Sequence, residues 1–512
     1  MRFLNSLRNS AAAFVGQIVT IVLGVVLRWF FVHYLGQDYL GVNSVMESMV
    51  TILSMTDLGI GTSVTFALYK PIADGDEKRV GALMAFYRKV YMVIGFGTAL
   101  LGPFLLPFMR FFTREATDVP HMTGIYLLFL ANTALSYFFA YKRTLLSAYE
   151  ENYVNSITED TVAVFKYLLQ GMFLFFARSY IGYLSVSLAA TLVTNLIISH
   201  SCDRKHPFVK KYHHASLYPE DKAQLKTSIV SMLYQNIGAK LVTGTDNLMI
   251  SYAKLTLMGI YSNYAMVVSI AARIVYNVLH SIMGSIGNLM VEEDNAHKSK
   301  VYEEFFFATF CFYCLLSVGF AGCLERFLLI WAGDGWLLGP SITFIVILNF
   351  FLNGLRQPNV VIIEAAGLFN KMRAKAVSEV IVNLVVSLLF LIVFDWGIYG
   401  VLLGTTVSMV SVCIWWETGA VHRFALHTSV KRFWRQYAGY LVFCAGVCFV
   451  TYFLCRKLPM QGIPGLFVSG VISVALFGAA LLVCYGRTGR FRSLAGRFFD
   501  KLKPVKVSDA AS

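Results

Sequence analysis

The stretch AAAFVGQIVTIVLGVVLRWFFVHYL, Ala11 to Leu35, carries a single charge, Arg28. As a helix rising 1.5 Å per residue it crosses roughly 30 Å of hydrocarbon. Arg2 and Arg8 precede it, as basic residues precede the apolar core of a secretory signal. That core is only about 7–15 residues long, however, and no small-residue cleavage site follows here. The stretch therefore reads as a first transmembrane helix. The pattern recurs along the chain, near 40–66, 90–112, 121–141, 159–178, 180–200, 228–251, 257–290, 304–322, 341–363, 376–395, 398–420, 436–455 and 464–486. Spans 40–66 and 228–251 are the most polar. The expectation is an all-α integral membrane protein of about fourteen spans.

Composition agrees. The 512 residues are 57% hydrophobic and 14% charged, against about 45–50% and about 25% in soluble domains. A net charge of +14 raises the question of nucleic acid, but a basic face on a water-exposed fold is needed for that. Here Lys and Arg cluster at the ends of apolar runs, so no nucleic-acid partner is expected. Loops on the side of the termini hold 31 of them and the opposite loops hold 7. By the positive-inside rule both termini are cytoplasmic. The nine cysteines, the Cys311-Phe-Tyr-Cys314 pair included, lie mostly inside apolar runs and read as core residues, not as a redox or metal site.

The longest inner connection separates two groups of six spans. The expected organisation is 1–200, a linker 201–227, 228–420, two added spans over 421–486, and a basic tail 487–512. A shift of 218 places Gln17 on Gln235, Gly41 on Gly259, Val42 on Ile260 and Ser44 on Ser262, and overlays spans of matching direction. Parallel repeats about an axis along the membrane normal, a pseudo-twofold, are a recurrent transporter plan.

Arg28, Asp57, Lys166, Lys240, Asp246, Arg273, Arg356 and Glu379 fall inside spans. Each costs about 2.5–3.5 kcal/mol at mid-membrane, so they face a wet cavity, pair, or snorkel. Snorkelling fits Lys166 and Glu379. The same shift that aligns the repeat equates Arg28 with Asp246, and Asp57 with a position near Arg273. Two cross-half contacts follow as expectations, an outer Arg28–Asp246 pair and an inner Asp57–Arg273 pair. Arg28, Lys240, Arg273 and Arg356 make a cationic lumen suited to a phosphate or pyrophosphate. Asp57 and Asp246 are the candidates for coupling and gating by H⁺ or Na⁺. No catalytic residue, metal site or bound cofactor is expected.

Phe31-Val-His-Tyr-Leu-Gly36, Leu40-Gly-Val42, Asp57-Leu-Gly-Ile-Gly61, Ala67-Leu-Tyr-Lys-Pro71 and Phe86-Tyr-Arg-Lys-Val-Tyr-Met-Val-Ile-Gly95 resemble the N-terminal signature of Wzx-type polysaccharide flippases of the multidrug/oligosaccharidyl-lipid/polysaccharide exporter superfamily. The motif match covers about the first 100 residues, and the fourteen-span plan fits the whole chain. The resemblance implies a bacterial inner-membrane protein that moves an undecaprenyl-pyrophosphate-linked oligosaccharide to the outer leaflet, for capsule, exopolysaccharide or O-antigen synthesis. It also implies a cationic cavity, coupling to an ion gradient, and contact with membrane lipids and other polysaccharide-assembly proteins. Arg28 and Asp57 sit in the matching segments.

A glycosyltransferase would use Asp74-Gly-Asp76 as a metal-binding DxD, yet that tripeptide sits in a short charged loop, with no phosphate loop in the chain. A drug or cation exporter of the same fold, or a lipid II flippase, are the other readings. Gly400-Val-Leu-Leu-Gly404 suits close intramolecular packing, and His213-His214 a solvated turn. The tail, with Arg490, Arg492, Arg497, Lys501, Lys503 and Lys506 among phenylalanines, suits a helix lying on anionic lipid.

Overall fold

The computed structural model describes residues 2–54, 60–113, 119–212, 214–281, 286, 289, 294–493 and 496. Among them every regular element is helical. In chain order these are α1 Arg2–Tyr34, α2 Gln37–Leu53, α3 Ile60–Ala73, α4 Glu77–Leu101, α5 Leu106–Phe112, α6 Met122–Ala148, α7 Asn152–Met172, α8 Tyr180–Lys205 and α9 Phe208–Lys211. They continue with α10 Pro219–Ala253, α11 Leu255–Ser281, α12 Asn295–Ala332, α13 Pro340–Ala365, α14 Arg373–Leu388, α15 Gly397–Ser408, α16 Trp415–Ala420, α17 Val430–Arg456 and α18 Gly462–Tyr485. Among the described residues eleven helices are long and apolar enough to span a membrane, or twelve when the two arms of α6, bent by 42°, count as one. The two polar spans of the sequence are not among them: α2 and α3 are separate helices of 17 and 14 residues, and α10 is long enough but falls short in apolarity.

The packing forms two compact units, one of residues 1–263 and 372–405, the other of 264–371 and 406–512. In the first, α4 packs on α6, α6 on α8, α7 on both α1 and α8, and α10 against α2, α3 and α14. Its core gathers Tyr87, Tyr91, Tyr137 and Tyr141 with Val64, Leu68 and Leu83. In the second, α12 is the spine for α13, α17 and α18. Phe310 and Tyr440 stack there with ring centres 4.0 Å apart. Large apolar side chains such as Val483, Phe176 and Phe467 point outward, as a hydrocarbon solvent permits.

Glycines make two of the contacts. A Cβ at Gly41 would stand 2.5 Å from the Leu255 carbonyl oxygen, and one at Gly259 would overlap the Gln37 carbonyl. The 218-residue shift equates Gly41 with Gly259 and Gln37 with Leu255, so the contact is reciprocal under the repeat. A second recurrence joins it. A π-helical turn, Phe173–Ala177, ends α7, and another, Leu389–Val393, ends the α14 span 216 residues later. Each is followed by a residue at positive φ, Arg178 and Asp395. Gly400 and Gly404 lie against Phe390 and Ser387, which is intramolecular packing.

Asp76 is a helix cap. Its side chain accepts from the Arg79 amide at 2.9 Å, starting α4 after the turn at Gly75. The start of the basic tail is tied down: Arg490 donates to Glu303 at 2.8 Å, as does Arg432 at 2.9 Å. Arg497, Lys501, Lys503 and Lys506 lie outside the described residues, as does His213.

Candidate functional site

Arg28 sits six residues before the end of α1 and turns into the first unit. Its Nε donates to Asn263 Oδ1 at 3.0 Å, and its Nη2 donates to Ser262 Oγ. Ser262 passes its own hydrogen to the Gly259 carbonyl at 2.6 Å, which leaves its oxygen free to accept. The start of α11 thus orients the guanidinium. Glu47 on α2 lies within electrostatic reach of Arg28, as do Tyr180 and Tyr183 on α8. Between Ser44 and Val50 only Glu47 is exposed, and among the described residues its carboxylate has no hydrogen-bond partner. Tyr180 donates to Asn43 Oδ1 at 3.1 Å. Phe31 meets Tyr180 and Tyr183 edge-on at 5.6 and 5.4 Å, and Tyr39 meets Tyr180 at 5.5 Å.

Asp246 on α10 forms a second polar cluster. Thr405 donates to its Oδ2 at 2.6 Å, and Asn383 Nδ2 lies 3.3 Å from Thr405 Oγ1. Asp246 Oδ1 and Asn383 Oδ1 are both buried without a donor. Among the described residues no basic side chain pairs with Asp246. The Thr405 hydroxyl and the Asn383 amide nitrogen thus lie beside a buried carboxylate with no basic partner among the described residues, a group suited to carrying a proton.

These positions correct the expected Arg28–Asp246 pair. Arg28 donates to Ser262 and Asn263 and not to Asp246, while Asp246 is covered by α14 and α15. Asp57, and with it the proposed pair with Arg273, lies outside the described residues. Arg273 and Lys240 are exposed and make no ion pair among the described residues. Arg356 is removed from the unpaired cations, because Glu417 accepts from its Nε at 3.0 Å and its Nη2 at 2.6 Å. Both side chains are nearly buried, so the pair is held in a fixed bidentate geometry. Glu379 does not snorkel: it is buried and accepts from Lys375 one turn away at 2.7 Å. Lys166 sits over the Tyr167 ring at 4.6 Å.

Glu47 and Glu417 are the functional-site and pairing residues that span reading missed. Each was visible as a lone acid in an apolar run, in Met46-Glu-Ser-Met49 and Trp415-Trp-Glu-Thr418. Asn383 and Thr405 carried no comparable signal, since lone amides and hydroxyls are common in membrane helices.

No family model and no curated protein matches the sequence. Solved structures do match. An inward-facing multidrug resistance MATE family transporter of the MOP superfamily superposes at TM-score 0.61 and 12% identity, over 81% of this chain and 99% of its own. The lipid II flippase MurJ in an inward closed conformation gives 0.59 and 12%, over 95% and 100%. A mutant of the Vibrio cholerae MATE transporter VcmN gives 0.51 and 14%, over 82% and 97%. The chain has the fold of these membrane transporters.

Proposed function

We propose that this protein is a flippase that moves an oligosaccharide linked to undecaprenyl pyrophosphate from the cytoplasmic to the outer leaflet of a bacterial inner membrane, for polysaccharide assembly. The observation that carries the reading is the charged, tyrosine-rimmed Arg28–Glu47 site held inside an apolar helical unit. A polar site set among apolar helices serves a cargo that is itself polar. The exposed cation Lys240 suits the pyrophosphate, while the prenyl tail stays in lipid. Asp246 with Asn383 and Thr405 takes the coupling cation, H⁺ or Na⁺, and other polysaccharide-assembly proteins receive the product. The likeness to a lipid II flippase over nearly the whole chain supports a lipid-linked cargo. The second reading, export of organic cations, draws on the MATE likeness and on the acidity of Glu47 and Asp246.

The test is a leaflet assay in proteoliposomes with a fluorescent undecaprenyl-pyrophosphate oligosaccharide, under an imposed pH or Na⁺ gradient. Movement should exceed that of protein-free liposomes and fall at least tenfold in Arg28→Ala. Asp246→Asn should abolish the response to the gradient. No movement under either gradient, with folded protein, refutes the flippase and redirects the work to lipophilic cations.

A further inference from the structure

We infer that the Arg28–Glu47 site is the subsite that reads the sugar of the cargo, with Glu47 as its specificity-determining residue, and that the phosphates are held elsewhere. This rests on the flippase reading and deepens it.

Glu47 is the starting point. Its neighbours Ser44, Val45, Met46, Ser48, Met49 and Val50 are all buried, yet Glu47 is exposed and has no hydrogen-bond partner among the described residues. A carboxylate turned to hydrocarbon is heavily penalised. Asn43, one turn before Glu47 on α2, accepts from Tyr180, and Tyr180 meets Phe31, three residues after Arg28 on α1, so Glu47 shares the side of α2 that faces α1 and α8, where the guanidinium lies. A bare carboxylate beside an arginine weakens the site for a pyrophosphate, which calls for converging cations. It suits a group that donates hydrogen bonds.

Arg28 supplies the complement. Of its five N–H groups, Asn263 and Ser262 take one each. Those two bonds fix the plane of the guanidinium, and the remaining N–H groups are available to neutral acceptors. Tyr183 is half-buried beside it and Tyr39 meets Tyr180 edge-on, while the Tyr180 hydroxyl is committed to Asn43. Acceptor, donor and aromatic faces together match a pyranose. Its hydroxyls both donate and accept, and its C–H face is apolar.

The test uses the full-length protein in nanodiscs and two probes, undecaprenyl pyrophosphate bearing a disaccharide and the same lipid without sugar. The wild type should bind the glycosylated probe more tightly. Glu47→Gln, which keeps the side-chain shape, should weaken that probe at least tenfold and change the sugar-free probe by less than twofold. Tyr183→Ala should follow the same pattern, with thermal melting confirming the fold of both variants. Equal weakening of both probes, or no loss for the glycosylated one, overturns the sugar-reading role and leaves the flippase standing. A wild type that binds neither probe overturns both readings. Binding of tetraphenylphosphonium that is lost in Glu47→Gln overturns the inference in favour of a cation-binding acid.

Discussion

Arg356 and Glu417 show how charge is made tolerable between apolar helices: two hydrogen bonds and near-complete burial of both side chains. Removing one member leaves the other buried and uncompensated. Arg356→Ala should cost about 3–5 kcal/mol, whereas Arg356→Leu with Glu417→Leu should recover most of it. Thermal unfolding in detergent of the two variants reads the difference. Arg28 and Asp246 were legible in the sequence as misplaced charges, but their partners were not. Repeat arithmetic paired them because their positions correspond, whereas each is met by neutral oxygens from helices far along the chain, Ser262 and Asn263 in one case and Thr405 in the other. Sequence spacing gives depth along a helix and not the direction a side chain faces across it.

Element ends were the least visible feature, and they carry the clearest repetition. Nothing in the composition of Phe173–Ala177 or Leu389–Val393 announces a π-helical turn, yet both close equivalent spans. The glycines were legible, and the structure gives the reason for each. Gly404 lets α15 lie on the backbone at Ser387, and Gly259 lets α11 lie on the Gln37 carbonyl. Side chains have nowhere to go at such contacts. Gly404→Leu should therefore destabilise the protein by about 1–3 kcal/mol or more, measured as a lower detergent melting temperature, while Gly446→Leu, at a glycine with open space around it, should leave it unchanged.

Over the whole molecule the sequence yields the class and the span plan, because a hydrocarbon solvent imposes length and apolarity that survive without tertiary information. It yields less where a helix is polar: α10 carries Lys240 and Asp246 and is recognisable as a span only beside its neighbours. Orientation follows from charge alone, and reporters fused after Gly75 and after Gln461 should show a cytoplasmic and an external location respectively; the reverse would invert the 31-to-7 reading. The buried Arg356–Glu417 pair also sets a timetable. Its members are 61 residues apart, and at about 5–20 residues per second the ribosome takes roughly 3–12 s to deliver the second after the first. Through that interval α13 holds an arginine with no acid to meet it, so it cannot be released into lipid on its own terms. Biogenesis must shelter it, at the insertion machinery or against helices already made, until α16 emerges and the charge is closed.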